Sequence, residues 1–406
     1  MNILKRIFTK KQKAVIKSIK HAIYRFIHLQ GKIETTLIYR VIKQRKSDVF
    51  FGYYDISPFN SIDKILYIKK EKNSDEVKIC INDSNDLSQE SILAVSKAWN
   101  WQQGCRLRWF PGYDDRVIFN FFEENKYGSR IIDTEGNIIK NYQFPIYDIS
   151  HDGQLGITLN FDRLGLLRPG YGYTCIPYNA NNLYNESIRI IDLATGIIKD
   201  KITYQMIAKA IKYKRDYDKC YINHLSFSPD GKSFLFFWIE IINGYHKASL
   251  LVYDIYTKNI IPLELEDKVS HYVWLDNENI LCTSYSRPTI CNYYIYNIHN
   301  KTKSPFCPHS LQEDGHPSVD RGTMILTDTY PDINGFQCLY LVDSIFDKKE
   351  TLFKVYMKPV SNGELRTDLH PRFNSKHSKI CIDTNRNGSR EIIIIDNNTV
   401  MREYNN

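Results

Sequence analysis

The sequence lacks an apolar run long enough to cross a bilayer. Its longest apolar stretches in 406 residues, such as 392–395, have the length of a strand, whereas a membrane-spanning helix needs about 20 residues. The nine cysteines are scattered and include no Cys-x-x-Cys pair, which argues against a disulfide framework and a cysteine zinc site. No secretory signal is recognisable, because Lys and Arg interrupt every apolar segment near the N-terminus. We therefore expect a cytoplasmic protein with reduced thiols.

Outside its first 46 residues, the chain also has no excess of basic residues. The formal net charge of the chain is +8, but residues 1–46 contain thirteen Lys and Arg and only one acid, Glu34. The other 360 residues carry 41 basic and 45 acidic groups. A nucleic-acid-binding fold needs a basic face on the fold itself. We therefore expect no nucleic-acid partner.

Residues 1–46 are predicted to form a basic helical arm. From Leu4 to Ile27 most apolar residues recur at spacings of three or four, the period of a helix with one apolar face. Such a helix can lie on an anionic membrane surface through residues 1–30, dock on a partner protein, or pack on its own domain. The first of these would place the protein peripherally at the inner membrane. Residues Thr35–Ile42 suit either a strand or a second helix.

Residues 47–406 repeat one pattern, in which a strand, a tight turn and a second strand lead to a strand that closes on Asp. The clearest unit runs from His224 to Asp254 and contains Ser228-Pro-Asp-Gly231. This turn has Pro to preset φ, Asp to bond its own backbone, and Gly to supply a positive φ. The flanking aliphatic and aromatic residues favour strands.

Counting gives seven such units, at spacings of roughly 40–75 residues. Repeated sheets without intervening helices are typical of a β-propeller, whose blades stack around a central channel. The sequence therefore predicts an all-β protein, a seven-bladed β-propeller over residues 47–406 with the basic helical arm as an N-terminal extension. A helix is expected near 203–213.

In a propeller, the residues just before the innermost strand of every blade meet at one mouth of the channel. Those positions are Tyr53, Tyr54, Asp55, Gln102, Gln103, Asn223, His224, His271, Asp314, His316, Asp368 and His370. Imidazoles and carboxylates there suit a divalent metal. Alternatively, a histidine titrating near neutrality serves as a general base or acid, or each histidine only caps its neighbouring turn.

The segment 159–173 leaves the third blade and is rich in Arg, Gly and Tyr. Arg163 and Arg168 offer forked donors for a carboxylate, and Tyr171 and Tyr173 offer phenol protons and flat faces for sugars. The alternative is a self-packed loop whose arginines pair with local acids. Two further loops have a similar bias and contain Arg287 and Tyr330.

Several motifs together resemble a known family. They are Gly52-Tyr-Tyr-Asp-Ile-Ser-Pro58, Trp99-Asn-Trp-Gln-Gln-Gly104, the segment 160–173, Asp314-Gly-His-Pro317, Thr327-Asp-Thr-Tyr-Pro331 and Asp368-Leu-His-Pro-Arg372. The chain is similar over residues 48–396 to bacterial propeller proteins related to oligogalacturonate lyases and, more distantly, to propeller ulvan lyases. Similar chains occur among capsule and surface-polysaccharide biosynthesis proteins.

The resemblance implies β-elimination at a uronic acid of an acidic polysaccharide. Arg168 or Arg163 would neutralise the uronate, or a manganese or calcium ion held by His316 and His370, with His271 as a further ligand. His224 would be the base, and Tyr171 or Tyr173 the acid. The substrate-binding residues expected on this basis are Asn160, Arg163, Tyr54, Gln103, Arg287, Tyr330 and Arg372. In the family, manganese is held by histidines and a glutamine that include a closely spaced His pair, whereas 369–372 contain a single His.

A non-catalytic function is the alternative. The basic arm suits a glycan-binding or scaffold subunit of an envelope-polysaccharide assembly system, since lipid-linked glycans are made at the inner leaflet. A general protein-interaction propeller would not need so many His and Arg residues at its channel. A glycosyltransferase is disfavoured, because neither a nucleotide-binding βα pattern nor a suitably placed Asp-x-Asp segment is present.

Overall fold

The structure is a computed structural model that describes residues 31–177, 187–287, 290–319, 323–360 and 362–397. The amphipathic helix predicted within residues 1–30 lies outside them. In the described part of the chain, 29 strands form seven antiparallel sheets. These sheets are the blades of a seven-bladed β-propeller, so the predicted fold class is confirmed.

The first three blades follow one another along the chain, each running from its first strand at the channel to its last strand at the rim. Blade I contains β3 (Ser47–Phe50), β4 (Lys64–Glu71), β5 (Val77–Asp83) and β6 (Ser91–Ser96). Blade II contains β7 (Arg108–Trp109), β8 (Arg116–Glu123), β9 (Lys126–Asp133) and β10 (Ile138–Tyr142). Blade III contains β11 (Asp148–Ile149), β12 (Leu155–Thr158), β13 (Ser187–Asp192) and β14 (Ile198–Thr203).

Blades IV and V are also four-stranded. Blade IV contains β15 (Cys220–Phe227), β16 (Ser233–Ile242), β17 (Tyr245–Asp254) and β18 (Ile260–Glu264). Blade V contains β19 (Lys268–Trp274), β20 (Asn279–Arg287), β21 (Ile290–Asn297) and β22 (Lys303–Phe306).

Blades VI and VII are completed by strands from the beginning of the described chain. Blade VI contains β23 (Ser318–Val319), β24 (Met324–Asp328), β25 (Phe336–Asp343) and β26 (Lys348–Tyr356), with β1 (Ile33–Glu34) on its outer edge. Blade VII contains β27 (Arg372–Phe373), β28 (Lys379–Thr384) and β29 (Glu391–Asp396), and its outer strand is β2 (Tyr39–Ile42). The propeller sheets thus take in residues N-terminal to the boundary predicted at residue 46, and the strand alternative holds for 39–42.

The predicted turn chemistry recurs in consecutive blades. In blade IV, Ser228 donates its hydroxyl to Asp230 at 2.8 Å, and the N–H of Gly231, at φ +70°, donates to the Ser228 carbonyl at 2.9 Å. Blade III repeats the pattern, with Ser150 and Gly153 in the equivalent positions and a φ of +71° at Gly153. The positive φ explains the glycine, because most other residues are strained there.

Two short helices interrupt the sheets within the described residues. Helix α1 (Phe161–Leu167) lies between β12 and β13, in the segment predicted as a long loop, and Asn160 caps its N-terminus by accepting the N–H of Arg163 at 2.9 Å. Helix α2 (Tyr204–Ala210) follows β14, where a helix was expected. A 3-10 turn spans Gly363–Leu365. No helix in this part of the chain is long and apolar enough to cross a membrane.

The apolar cores lie between neighbouring blades. One cluster joins Leu339 and Phe353 of blade VI to Ile380 and Ile393 of blade VII, and all four side chains are fully buried. Such packing fixes each blade against the next and holds the first strands around the channel. On one side of the channel a cavity of about 410 Å³ is lined by residues of β15, β19, β23 and β27. In each of these four blades, the predicted histidine precedes the residues that line this cavity.

Candidate metal centre and histidine ring

Four histidines from four consecutive blades converge at the channel. The imidazole centroids of His271 and His316 are 4.0 Å apart, and those of His316 and His370 are 4.5 Å apart. His224 stacks on Tyr53 at 5.2 Å, and the Tyr53 ring lies 4.9 Å from His370. We call these four side chains the histidine ring. The fold therefore brings together the four histidines that the sequence-based alignment of the blades predicts at one mouth of the channel.

Irregular backbone directs the histidines inward. The pairing of β15 with β16 shifts register between Asn223 and Ser226, and His224 within this bulge has a φ of +58°. His370 precedes β27 with a φ of +47°. The register of β19 shifts around His271 in the same way. Bulges re-aim side chains, and positive φ at a non-glycine residue costs energy that the surrounding fold must offset.

One carboxylate orients two members of the ring. Asp328 lies at the end of β24. One of its carboxylate oxygens accepts hydrogen bonds from the Nδ1 of His316 and from the backbone N–H of the same residue, each at 2.8 Å. Its second oxygen accepts the backbone N–H of His370 at 3.0 Å. The Nδ1 of His370 contacts the carbonyl of Gly52 at 3.0 Å. Both imidazoles are consequently held with Nδ1 occupied.

A second carboxylate orients His271. Asp314 contacts the Nδ1 of His271 at 2.9 Å and accepts hydroxyl groups from Thr283 at 2.9 Å, Ser270 at 2.8 Å and Tyr285 at 2.7 Å. Burial opposes the charge of Asp314, but His271 and these donors outweigh burial and lower the pKa of the carboxyl. Asp314 therefore remains ionised while its oxygens are fully engaged.

Two histidines of the ring and the nearby Asp368 form a candidate metal centre. One ligand atom each of His316, Asp368 and His370 lies within 4.8 Å of the others, and all three residues are buried. The Nε2 atoms of His316 and His370 are buried and have no hydrogen-bond partner. In metal-binding histidines, one ring nitrogen usually bonds to a carboxylate or a backbone carbonyl, and this bond orients the other nitrogen toward the metal. Two imidazoles and a carboxylate suit manganese or zinc better than calcium, which prefers oxygen ligands.

Asp368 is held in place from the side away from the histidines. Its Oδ2 accepts the Nε of Arg366 at 2.9 Å, and its Oδ1 lies 3.4 Å from the Nε2 of Gln337. Burial opposes ionisation of this carboxyl, yet the charge of Arg366 prevails and lowers its pKa. The carboxylate is therefore available as a negatively charged ligand.

The imidazoles of the ring differ in their affinity for protons. Burial lowers the pKa of His224 and His370 well below the ordinary value of 6.5, and it lowers that of His271. Burial also opposes the charge of His316, but Asp328 outweighs it and raises the pKa of His316. Neutral imidazole is the form that binds a metal or accepts a proton. Burial favours this form at His224, His271 and His370, whereas a metal that binds His316 must displace the proton that Asp328 favours.

His224 lies at the edge of the ring in its own hydrogen-bond network. Gln103 donates to the hydroxyl of Tyr147 at 2.8 Å and to the Oδ1 of Asn223 at 3.1 Å. The amide nitrogen of Asn223 lies 3.3 Å from the Nε2 of His224, whose Nδ1 is buried without a hydrogen-bond partner. His224 thus has one ring nitrogen that is free to contact a ligand.

Cationic and phenolic groups border the ring. The Tyr171 ring lies 6.0 Å from Tyr53 and 6.3 Å from His224, and the guanidinium of Arg168 lies 5.1 Å from the Tyr171 ring centroid. On the other side, Tyr330 lies 5.9 Å from His316, with Arg366 at 4.9 Å from its ring. Tyr54 lies within the ring, 5.1 Å from His316, and its hydroxyl accepts the N–H of Tyr272 at 2.9 Å. An anionic ligand entering here meets two arginines.

Two residues predicted to bind substrate instead stabilise α1. Arg163 is 1% exposed, and its guanidinium donates to the backbone carbonyls of Tyr217 at 2.5 Å and Cys220 at 2.8 Å. Asn160 is the N-cap described above. These bonds satisfy carbonyls that would otherwise be buried without donors. The structure therefore does not bring either residue to the ring.

Three more predicted residues have other contacts or positions. Tyr173 stacks on Phe161 at 4.3 Å and its hydroxyl accepts a hydrogen bond from the amide of Asn120 at 2.8 Å. Arg372 is buried, pairs with Asp383 at 2.6 Å, donates to the backbone carbonyl of His370 at 2.6 Å, and lines the 410 Å³ cavity. Arg287 is exposed at the end of β20. Whether each of these side chains reaches the ring depends on its direction in an irregular segment. The sequence pattern does not predict that direction.

Sequence reasoning gave no function to Asp328, Arg366 or Asp368. Asp368 was placed at the channel but not among the metal ligands. A usable signal existed, because Arg366, Asp368 and His370 alternate in an extended segment and therefore point to one side. Asp328 closes a strand, as the final Asp of other units does, and only the fold shows that this carboxylate reaches two histidines.

Comparisons with known proteins show the fold. No protein-family model and no curated protein matches the chain. An oligogalacturonate lyase in complex with manganese superposes with a TM-score of 0.62 at 12% identity, over 90% of this chain and 98% of that one. An oligogalacturonate lyase from Vibrio parahaemolyticus gives 0.63 at 13% identity, with the same coverage of both chains.

The propeller architecture is shared with proteins of other activities. The β-propeller domain of the Trilobed protease from Pyrococcus furiosus superposes with a TM-score of 0.50 at 12% identity, over 87% of this chain and 96% of that domain. At these identities the likeness concerns the path of the backbone alone. The backbone alone therefore does not determine the activity, which depends on the side chains of the ring.

Proposed function

We propose that this propeller is a metal-dependent lyase that cleaves an acidic bacterial polysaccharide by β-elimination at a uronic acid. The observation that carries the proposal is the candidate metal centre. There one ligand atom each of His316, His370 and Asp368 lies within 4.8 Å of the others, and the buried Nε2 atoms of both histidines have no hydrogen-bond partners. Burying two unpartnered imidazole nitrogens is costly, and a bound cation offsets that cost. The manganese complex of the structurally similar lyase supports the same reading.

The residues around the centre supply what an elimination requires. The proton at C5 of a uronate is poorly acidic while the neighbouring carboxylate carries its full charge. Arg168 borders the ring and can bind that carboxylate, whereas the charge of Arg366 is already paired with Asp368. A metal held by His316, His370 and Asp368 would supply further positive charge for the developing enolate.

His224 is the proposed base. Burial keeps its imidazole neutral, and Nε2, which accepts the amide N–H of Asn223 at 3.3 Å, is the nitrogen with the lone pair that can take up a proton. In the reaction, the C5–H bond breaks and the proton goes to His224, the electron pair forms the C4–C5 double bond, and the C4–O bond breaks. Tyr171, whose ring lies 6.3 Å from His224, donates a proton to the departing oxygen. Tyr173 is not proposed, because Asn120 and Phe161 hold it in the core.

Absorbance of the unsaturated uronate tests this function. Wild-type protein with added manganese, mixed with a panel of uronate-containing glycans, should produce an absorbance rise that EDTA removes. We expect His224→Ala to abolish the rise without loss of bound manganese, and His370→Ala to lose both. A wild-type protein that binds a glycan but never yields the double bond would instead support a glycan-binding or scaffold propeller.

The cellular setting is a further part of the proposal. Capsule or surface-polysaccharide biosynthesis would bring an acidic glycan to the inner membrane, where the basic segment 1–30 contacts anionic lipid. That segment has eight Lys and Arg and no acid. Sedimentation with anionic vesicles, compared between the full chain and a chain that starts at residue 31, measures this contact. Equal sedimentation of the two would exclude it.

A further inference from the structure

A second cavity lies beside the histidine ring and was not assigned a function above. Its volume is about 470 Å³, within the range of small-molecule sites. Three half-buried aromatic side chains line it, namely Trp99, Trp101 and Phe122. We call this cavity the tryptophan groove. Trp99 and Trp101 belong to the motif 99–104, of which only Gln103 and its neighbours face the channel.

The tryptophan side chains are rigidly held. The Trp99 indole N–H donates to the carbonyl of Asp75 at 2.8 Å, and the two indole rings meet edge to face at 5.1 Å. Trp101 stacks on Phe50 at 5.5 Å, and Arg390 donates to the Trp101 carbonyl at 2.6 Å. Aromatic faces that are fixed in this way bind a ligand with little loss of side-chain entropy.

The groove is continuous with the ring. Asn100, on the groove wall, donates to the backbone carbonyl of Tyr171 at 2.9 Å, and Tyr171 borders the ring. Gln102 donates to the carbonyls of Glu364 at 3.1 Å and Arg366 at 2.8 Å, so the same side chain joins a residue of the groove to a residue that borders the ring. Neighbouring residues thus form the walls of the groove and the border of the ring.

The chemistry of the lining fits a sugar. The face of an indole carries negative charge density, and the C–H groups on the flat side of a pyranose are weakly positive, so the two stack. Asp75, Lys97 and Glu364 line the groove as well and provide acceptors and a donor for hydroxyl groups. Lys97 pairs with Asp75 at 3.0 Å, so the lining has no excess of positive charge. It suits a neutral sugar face better than a second uronate.

We propose that the tryptophan groove is a second subsite, with Trp99 as its stacking platform. It binds the sugar that follows the cleaved uronate on the side away from the broken C4–O bond, which a disaccharide lacks. The proposal rests on the function proposed above for the ring. It makes the protein selective for oligosaccharides and polymers over disaccharides, and it places the determinant of that selectivity in blades I and II. Trp99 here is a binding residue, since it does not touch the reacting bond.

The test compares Trp99→Ala with Trp99→Phe, which retains a flat ring, and with Tyr256→Ala, which removes an aromatic ring that is 93% exposed elsewhere. The probes are oligosaccharides of two to six sugars in which uronates alternate with neutral sugars, and a panel of uronate-containing capsular polysaccharides. For the longer ligands we expect Trp99→Ala to weaken binding and raise KM about five- to tenfold with kcat unchanged. Trp99→Phe should restore most of the affinity, and disaccharides should bind all variants alike.

The possible results separate the two proposals. Longer glycans that bind wild type and Trp99→Ala equally would overturn the subsite and leave the lyase intact. Weaker binding by Trp99→Ala without cleavage by wild type would retain the subsite and overturn the lyase. If wild type binds no glycan of the panel, both proposals fall. Thermal unfolding of each variant identifies a loss of binding that comes from misfolding, and Trp99→Phe then decides the matter.

Discussion

The Nδ1 atom of His316 lies 2.8 Å from a carboxylate oxygen of Asp328, and that carboxylate also accepts the backbone N–H of His370. One aspartate at the end of a strand of blade VI thus positions histidines that belong to two blades. The relationship explains how two imidazoles from separate sheets keep their Nε2 atoms directed at a common point. It also provides a way to loosen the candidate metal centre without removing a ligand.

Replacing Asp328 with Asn should weaken manganese binding about 10- to 100-fold, the usual cost of losing a partner behind a metal ligand. The amide keeps the shape of the side chain but loses the charge that favours the required orientation. Isothermal titration with manganese measures the affinity. Asp343→Asn in the same blade, where the carboxylate only accepts the N–H groups of a turn, should titrate like wild type. Equal affinities for Asp328→Asn and wild type would exclude this role.

Gly315→Ala should disrupt the same centre through the backbone. A Cβ at this position would lie 1.9 Å from the carbonyl oxygen of Asp328 and 2.7 Å from the Oγ1 of Thr327, so the chain before His316 must move. We expect a loss of about 1–3 kcal/mol in the free energy of unfolding together with a loss of bound manganese. Gly363→Ala, whose Cβ would meet nothing within 4 Å, is the control in urea unfolding. A stable Gly315→Ala protein with full manganese content would contradict the prediction.

Asn223→Asp should shift the pH dependence of catalysis. A base must be neutral, so activity falls as the pH drops through the pKa of His224, which burial holds well below 6.5. A carboxylate next to Nε2 stabilises the imidazolium and raises this pKa, so the acid limb of kcat/KM should move up by about one to three pH units. The exposed substitution Asn300→Asp serves as the control. An unmoved limb would show that His224 is not the base.

Arg106→Met should destabilise the whole fold. The guanidinium makes two bonds to Asp55, at 2.9 and 3.2 Å, and one to the carbonyl of Tyr147 at 2.8 Å, and the side chains of the ion pair are 1% and 7% exposed. Losing one partner leaves a buried charge and costs about 3–5 kcal/mol. Urea unfolding should show this, whereas Lys199→Met, from an exposed pair with Asp192, should cost less than about 1 kcal/mol.

The repeat pattern predicted the fold because turn chemistry and strand composition are local properties. In Ser228-Pro-Asp-Gly231, and in the turn that ends at Gly153, the glycine itself indicates the position that needs a positive φ. The convergence of His224, His271, His316 and His370 follows from the same repeats, since propeller symmetry brings equivalent positions of each blade to one place. Geometry of this kind needs no knowledge of individual contacts.

The functions of single side chains were much less predictable. Arg163 and Arg168 are five residues apart in one helical segment, yet one is buried among carbonyls while the other borders the ring. The difference arises from the short helix α1 and its cap at Asn160, which turn the two guanidinium groups in different directions. Tyr171 and Tyr173 differ for the same reason. Long-range contacts decide such cases, and they are not encoded in local spacing.

The closure of blade VII by β2 has a consequence for how the molecule is made. Arg40 on β2 pairs with Asp396, 356 positions later in the chain, so β2 leaves the ribosome long before its partner β29 is made. Until then β2 presents open edges that invite pairing with other chains. Nascent copies of this protein should therefore depend on chaperones late in synthesis, and a truncation that removes only the final strand would leave an unclosed, aggregation-prone ring.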